Sequence, residues 1–100
     1  MAKILVVDDD RGVIESFSAL FRGRHIVLGA YNGKEAEKLL QENDVELIFL
    51  DYRLPGDDGL SVLKAIRSKA HDADIVMITA YGSLETIVPV SYTHLTLPTN

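Results

Sequence analysis

The chain has 100 residues, 47% of them hydrophobic and 25% charged, with a formal net charge of -5 and no cysteine. One soluble domain with a small core is the natural expectation. The acidic balance disfavours a surface for nucleic acid or anionic membrane, both of which call for Lys and Arg. The missing cysteines exclude disulfides and thiolate metal sites. No apolar run reaches the ~20 residues of a membrane helix, and Met1 leads at once into a strand-like run with no room for a signal peptide. The expected location is therefore the cytoplasm, with no membrane partner.

Ile4-Leu5-Val6-Val7 is apolar on both faces and stops at Asp8-Asp9-Asp10, which predicts a strand inside a parallel sheet. Val13, Ile14, Phe17, Leu20 and Phe21 then follow helical spacing, with Asp9 or Asp10 as cap and Gly23 as terminator. His25 to Ala30 reads as a second strand and Asn32-Gly33 as a turn. Ala36, Leu39 and Leu40 mark the apolar face of a second helix. Leu47-Ile48-Phe49-Leu50 is a third buried strand, again ending at an acid, Asp51, before the Pro55-Gly56 break. Leu60, Leu63 and Ile66 predict a third helix, with Lys64, Arg67 and Lys69 suiting its C-terminal dipole. Ile75-Val76-Met77-Ile78 is a fourth strand that ends at Thr79.

Strand and helix alternate, so the expected fold is α/β, a doubly wound parallel sheet with helices on both faces. Ligands in such folds sit beyond the carboxyl ends of the strands, where Asp8, Asp9, Asp51 and Thr79 fall. After Glu85 no charged residue follows, and Pro89 interrupts the place of a fourth helix. The composition breaks near Val88.

Carboxylates gathered at strand ends repel one another and call for a cation. Hard oxygen ligands with open positions suit Mg²⁺, which keeps waters and meets phosphates. A carboxylate in such a cluster can attack phosphorus, and the Thr79 hydroxyl could donate to the new phosphate. Singly, each residue has a plainer reading: Asp8-Asp9-Asp10 as a helix cap, Asp51 as a loop-start acid, Thr79 as a strand end. Acid, acid and hydroxyl on successive strand ends are hard to obtain from capping alone. His25, His71 and His94 are scattered and read as surface or loop residues. Asp57 and Asp58 between Gly56 and Gly59 read as a solvated turn, and at Tyr52 and Arg53 the backbone is the functional part.

The stretches Ile4 to Asp10, Leu47 to Gly59 and Ile78 to Gly82 resemble receiver domains of two-component response regulators, over residues 1–88. The resemblance implies a flavodoxin-like sheet of strand order 2-1-3-4. It implies that Asp51 accepts a phosphoryl group from a sensor histidine kinase. Asp8, Asp9, Asp51 and the Arg53 backbone carbonyl would hold Mg²⁺, and Thr79 would be the switch hydroxyl. Pro55 matches the family's proline beyond the acceptor. Tyr81 to Thr86 is similar to receivers of the nitrogen-regulation type, which implies a transcriptional activator whose ATPase and DNA-binding output domains lie outside this chain, with a phosphorylation-linked dimer in the full-length parent. The chain itself would be a switch and not an enzyme.

The family's fifth strand ending in Lys-Pro and its last helix are missing here or replaced by residues 89–100, and its switch aromatic has no counterpart. Residues 89–100 look similar to translated read-through of a library adapter. The fourth strand is then expected to be a bare edge, and without the lysine the phosphate loses a charge-assisted contact. Marginal folding and poor switching are expected. Two other readings stand beside this one. Asp8-x-Asp10 also resembles the start of a haloacid-dehalogenase-type phosphatase, with Asp8 as nucleophile, although Arg11-Gly12 departs from that motif and Asp51 would be idle. A degenerate receiver serving only as a docking module is the third.

Overall fold

The computed structural model describes residues 1–51 and 59–78, together with the backbone of 88–90. Its elements run β1 (Lys3–Val7), α1 (Arg11–Phe21), β2 (Ile26–Ala30), α2 (Gly33–Glu42), β3 (Leu47–Asp51), α3 (Gly59–Lys69), β4 (Asp74–Ile78) and β5 (Val88–Val90). The sheet order is β2-β1-β3-β4-β5. β1 lies between β2 and β3, β3 pairs with β4, and all of these pairings are parallel.

The alternation of side chains along each strand divides the core. Leu5, Val7, Ile48, Leu50, Ile75 and Met77 join Ala36 and Leu40 of α2 and Val62, Leu63 and Ile66 of α3 in one buried cluster. The opposite face receives α1, whose Phe17 ring stacks on Phe49 with centroids 4.6 Å apart. α1 is the lighter cover: none of its residues is fully buried, and Leu20, expected on the apolar stripe, is 66% exposed. The stripe centres on Ile14, Phe17 and Phe21, which leaves Leu20 at its rim. β2, at the sheet edge, is correspondingly less buried than β1.

The helix ends follow local chemistry. Asp10 caps α1, its Oδ1 accepting from the Gly12 N–H at 2.8 Å, and Gly23 beyond the helix takes φ +82°, as a residue without Cβ can. Asn32 is a cap where the sequence suggested a turn. Its side chain accepts from the Glu35 N–H, and Glu35 reaches back to accept from the Tyr31 N–H, close to a capping box. Arg67 is buried, and its Nη1 donates to the carbonyls of Ala70 and His71, closing the end of α3.

Two further features differ from the sequence reading or escape it. β4 is not a bare edge along its whole length: Val88–Val90 pairs antiparallel with Ile75–Met77. The nine residues 79–87 are too few for a parallel crossover, which takes a dozen or more, so this added strand runs back. Pro89 sits in it, as proline does on sheet edges. The second feature is Gly29, where a Cβ would lie 2.6 Å from Ile14 Cγ2. The close seat of α1 on β2 needs a glycine there. Gly29→Ala is expected to destabilise the fold by about 1–3 kcal/mol, read as a lower urea midpoint at unchanged m-value.

Candidate functional site

The parallel register sets the site. Val7 of β1 is level with Leu50 of β3, so the next residues, Asp8 and Asp51, emerge side by side at the carboxyl end of the sheet. Both preceding residues are fully buried, which fixes the strand ends from beneath. The Asp8 N–H continues the ladder to the Ala30 carbonyl at 2.9 Å. Asp51 is level with Ile78 of β4. One carboxylate oxygen from each of Asp8, Asp9 and Asp51 lies within 4.8 Å of the others. Asp8 is buried, Asp9 exposed and Asp51 between the two. A cleft of about 650 Å³ opens over them, lined also by Asp10, Val13, Phe17 and Ile78.

Burial is the largest influence on Asp8, lifting its carboxyl from 3.8 to about 6. The neighbouring charges of Asp51, Asp9 and Asp10 push the same way, and the Asp10 N–H, donating to Asp8 Oδ1 at 2.8 Å, opposes them. An anion that resists ionising among other anions is the electrostatic signature of a cation-binding cluster. The donor set is all oxygen, as hard cations require. Around Mg²⁺ at about 2.1 Å, two ligand oxygens lie at most about 4.2 Å apart, so small carboxylate rotations close the observed cluster on an ion. The residues therefore fit the metal that the sequence implied.

Of the remaining sequence-derived site residues, Thr79 and Arg53 lie outside the described residues, as do Tyr52, Pro55, Gly56, Asp57, Asp58 and His94. His25 accepts from the Ala2 N–H through Nδ1, at the far end of β2 from the acids. His71 borders a second cleft of about 660 Å³ at the opposite end of the sheet. Neither joins a metal-ligating group among the described residues. Val13 and Phe17 line the site although the sequence marked them only as core. Their signal was present: they stand about one and two turns after Asp10 on one helical face.

This parallel sheet of order β2-β1-β3-β4, with three helices and acids on neighbouring strand ends, is the flavodoxin-like receiver fold. The chain belongs to the response regulator receiver domain family, whose model matches residues 4–93. Among curated relatives it is 42% identical to the response regulator MprA of Mycobacterium sp. (strain KMS) over 84 residues, which is 82% of this chain and 36% of that protein. It is similar to a solved response regulator of Burkholderia pseudomallei with a phosphorylated aspartic acid, calcium ion and citrate. That match has a TM-score of 0.75 and 32% identity, and covers 86% of this chain and 51% of the other. It also resembles the response regulator TrrA of Thermotoga maritima in complex with Mg²⁺ and BeF, with a TM-score of 0.71 and 39% identity, over 81% of this chain and 71% of that one. The chain spans less than two fifths to about two fifths of the curated relatives' length. No helix among the described residues is long and apolar enough to cross a membrane.

Proposed function

We propose that the chain is the phosphoacceptor part of a two-component phosphorelay and that Asp51 is the acceptor. The observation that carries this is the meeting of Asp8, Asp9 and Asp51 within 4.8 Å at the strand ends. Asp51 is half-buried, fixed by β3 yet open to the cleft. Its carboxylate oxygen bonds to phosphorus as the phosphorus–nitrogen bond of a kinase phosphohistidine breaks. The bonding pair stays on the imidazole, which regains a proton from water.

Asp8 and Asp9, with Asp51 and the Arg53 carbonyl, are the residues that would hold Mg²⁺. The ion supplies charge neutralisation for the phosphoryl oxygens. The Asp10 N–H fixes the Asp8 rotamer, so the ligand set is ordered in advance. In this reading Thr79, which follows Ile78 in the sequence, is the hydroxyl that answers the new phosphate. The kinase is the phosphoryl donor, the setting is cytoplasmic, and transcriptional output belongs to a domain outside this chain. Receiver domains are in general signalling switches rather than catalysts, which weighs against the phosphatase reading.

The test is covalent labelling with a small acyl phosphate and Mg²⁺, read by intact mass. One phosphoryl group is expected on the wild type, and none on Asp51→Asn or after chelation. Labelling that survives in Asp51→Asn sinks the assignment. Repeated phosphoester turnover dependent on Asp8 would restore the phosphatase reading.

A further inference from the structure

Asp10 lines the same cleft as the three clustered acids but is not among the groups whose oxygens converge. Its carboxylate is engaged elsewhere. Oδ1 accepts from the Gly12 N–H at 2.8 Å as the N-cap of α1. Gly12 leaves that seat open, since a Cβ there would come within 3.2 Å of the same oxygen. The backbone of Asp10 points the other way, its N–H donating to Asp8 Oδ1. One residue thus orients a clustered carboxylate through its main chain while its own charge is pinned beside the cluster.

We propose that Asp10 is a positioning residue for the metal, a fourth negative charge that the α1 cap holds outside the ligand set and that strengthens cation binding through space. This rests on the reading of Asp8, Asp9 and Asp51 as Mg²⁺ ligands. A bound carboxylate would add a ligand and fill a coordination position that the phosphoryl group needs. A capped one adds attraction and leaves that position open. The helix N-terminus tolerates the charge, because its own dipole favours an anion there.

The cap and the charge can be separated by substitution. Asn and Ser cap about as well as Asp but carry no charge, and Ala does neither. Mg²⁺ alone is titrated into the full chain and into Asp10→Asn, Asp10→Ser and Asp10→Ala, followed by calorimetry and by amide NMR shifts at the ends of β1 and β3. All three variants are expected to bind about three- to tenfold more weakly at ~0.01 M ionic strength, with the difference shrinking toward none at ~0.5 M. Only Asp10→Ala should also lower the urea midpoint. Asp10→Asn binding as the wild type does overturns the inference, and so does a loss of affinity that follows the stability order or ignores salt. If the wild type and Asp10→Asn bind alike while Asp8→Asn does not bind, this inference alone falls. A wild type that takes up no Mg²⁺ overturns it together with the metal reading beneath it.

Discussion

Asp8→Asn is expected to make the metal-free protein more stable at pH 7.5 and to remove most of its response to Mg²⁺. The folded chain holds the Asp8 proton more tightly than the unfolded chain does, with the carboxyl at about 6 instead of 3.8. Below about pH 3.8 Asp8 is protonated in both states and contributes no difference. As pH rises from there through 6, the unfolded chain ionises first and folding loses stability. Above 6 the full penalty applies, about 3 kcal/mol at most. Asn keeps an oxygen to accept the Asp10 N–H and carries no charge to bury. The two proteins should therefore unfold at similar urea concentrations near pH 4, diverge as the pH rises toward 6 and stay apart above it. At pH 7.5 the variant should melt higher by roughly 4–8 °C for each kcal/mol gained. Mg²⁺ at a hundredfold excess over its dissociation constant should return about 2.7 kcal/mol to the wild type and much less to the variant. A variant less stable than the wild type at pH 7.5 would mean that the Asp8 charge is favourably paired in the free protein. An undiminished Mg²⁺ shift would remove Asp8 from the ligand set.

What the chain revealed in advance was what short segments encode. Three apolar runs, each followed by an acid or a hydroxyl, mark buried parallel strands, and the carboxyl ends of such strands gather in space whatever the intervening detail. That logic places Asp8, Asp9 and Asp51 together, as the structure does. The features that escaped it depend on how distant segments meet. Gly29 looks like any strand glycine until Ile14 is laid across it. The Asn32 cap is a local exception: beside Gly33 it carries the signature of a turn, but Asn with Glu35 three residues on also marks a helix start, and the structure forms that cap. Leu20 keeps helical spacing, yet the helix rolls on Phe17 and Phe49 and leaves it in solvent. Val88–Val90 has no acid after it and a proline within it, so the strand–acid pattern passed over it. It pairs along the edge of β4.

Leu50→Ala is expected to carry a large stability effect. Leu50 is fully buried in the main cluster, and truncating such a leucine costs about 2–5 kcal/mol. That is a large share of the roughly 5–15 kcal/mol that holds a domain together. The melting temperature should fall by about 10 °C or more. The position also joins core to site, because Leu50 is level with Val7 and the next residues are Asp51 and Asp8. Side chains that exclude water thus hold together carboxylates that repel, and the packing beneath the site opposes the strain above it. Two partial rescues should follow. Mg²⁺ binds only the folded arrangement and should raise the Leu50→Ala melting temperature by linkage. Adding Asp8→Asn should raise it without metal at pH 7.5 and cancel the Mg²⁺ effect. The two changes lie close enough that their sum should depart from additivity. A Leu50→Ala protein melting within a degree or two of the wild type would show that β3 is not the support of the site. A variant that folds but no longer responds to Mg²⁺, beside a responsive wild type, would show that Leu50 sets the position of Asp51 as well as the stability of its strand.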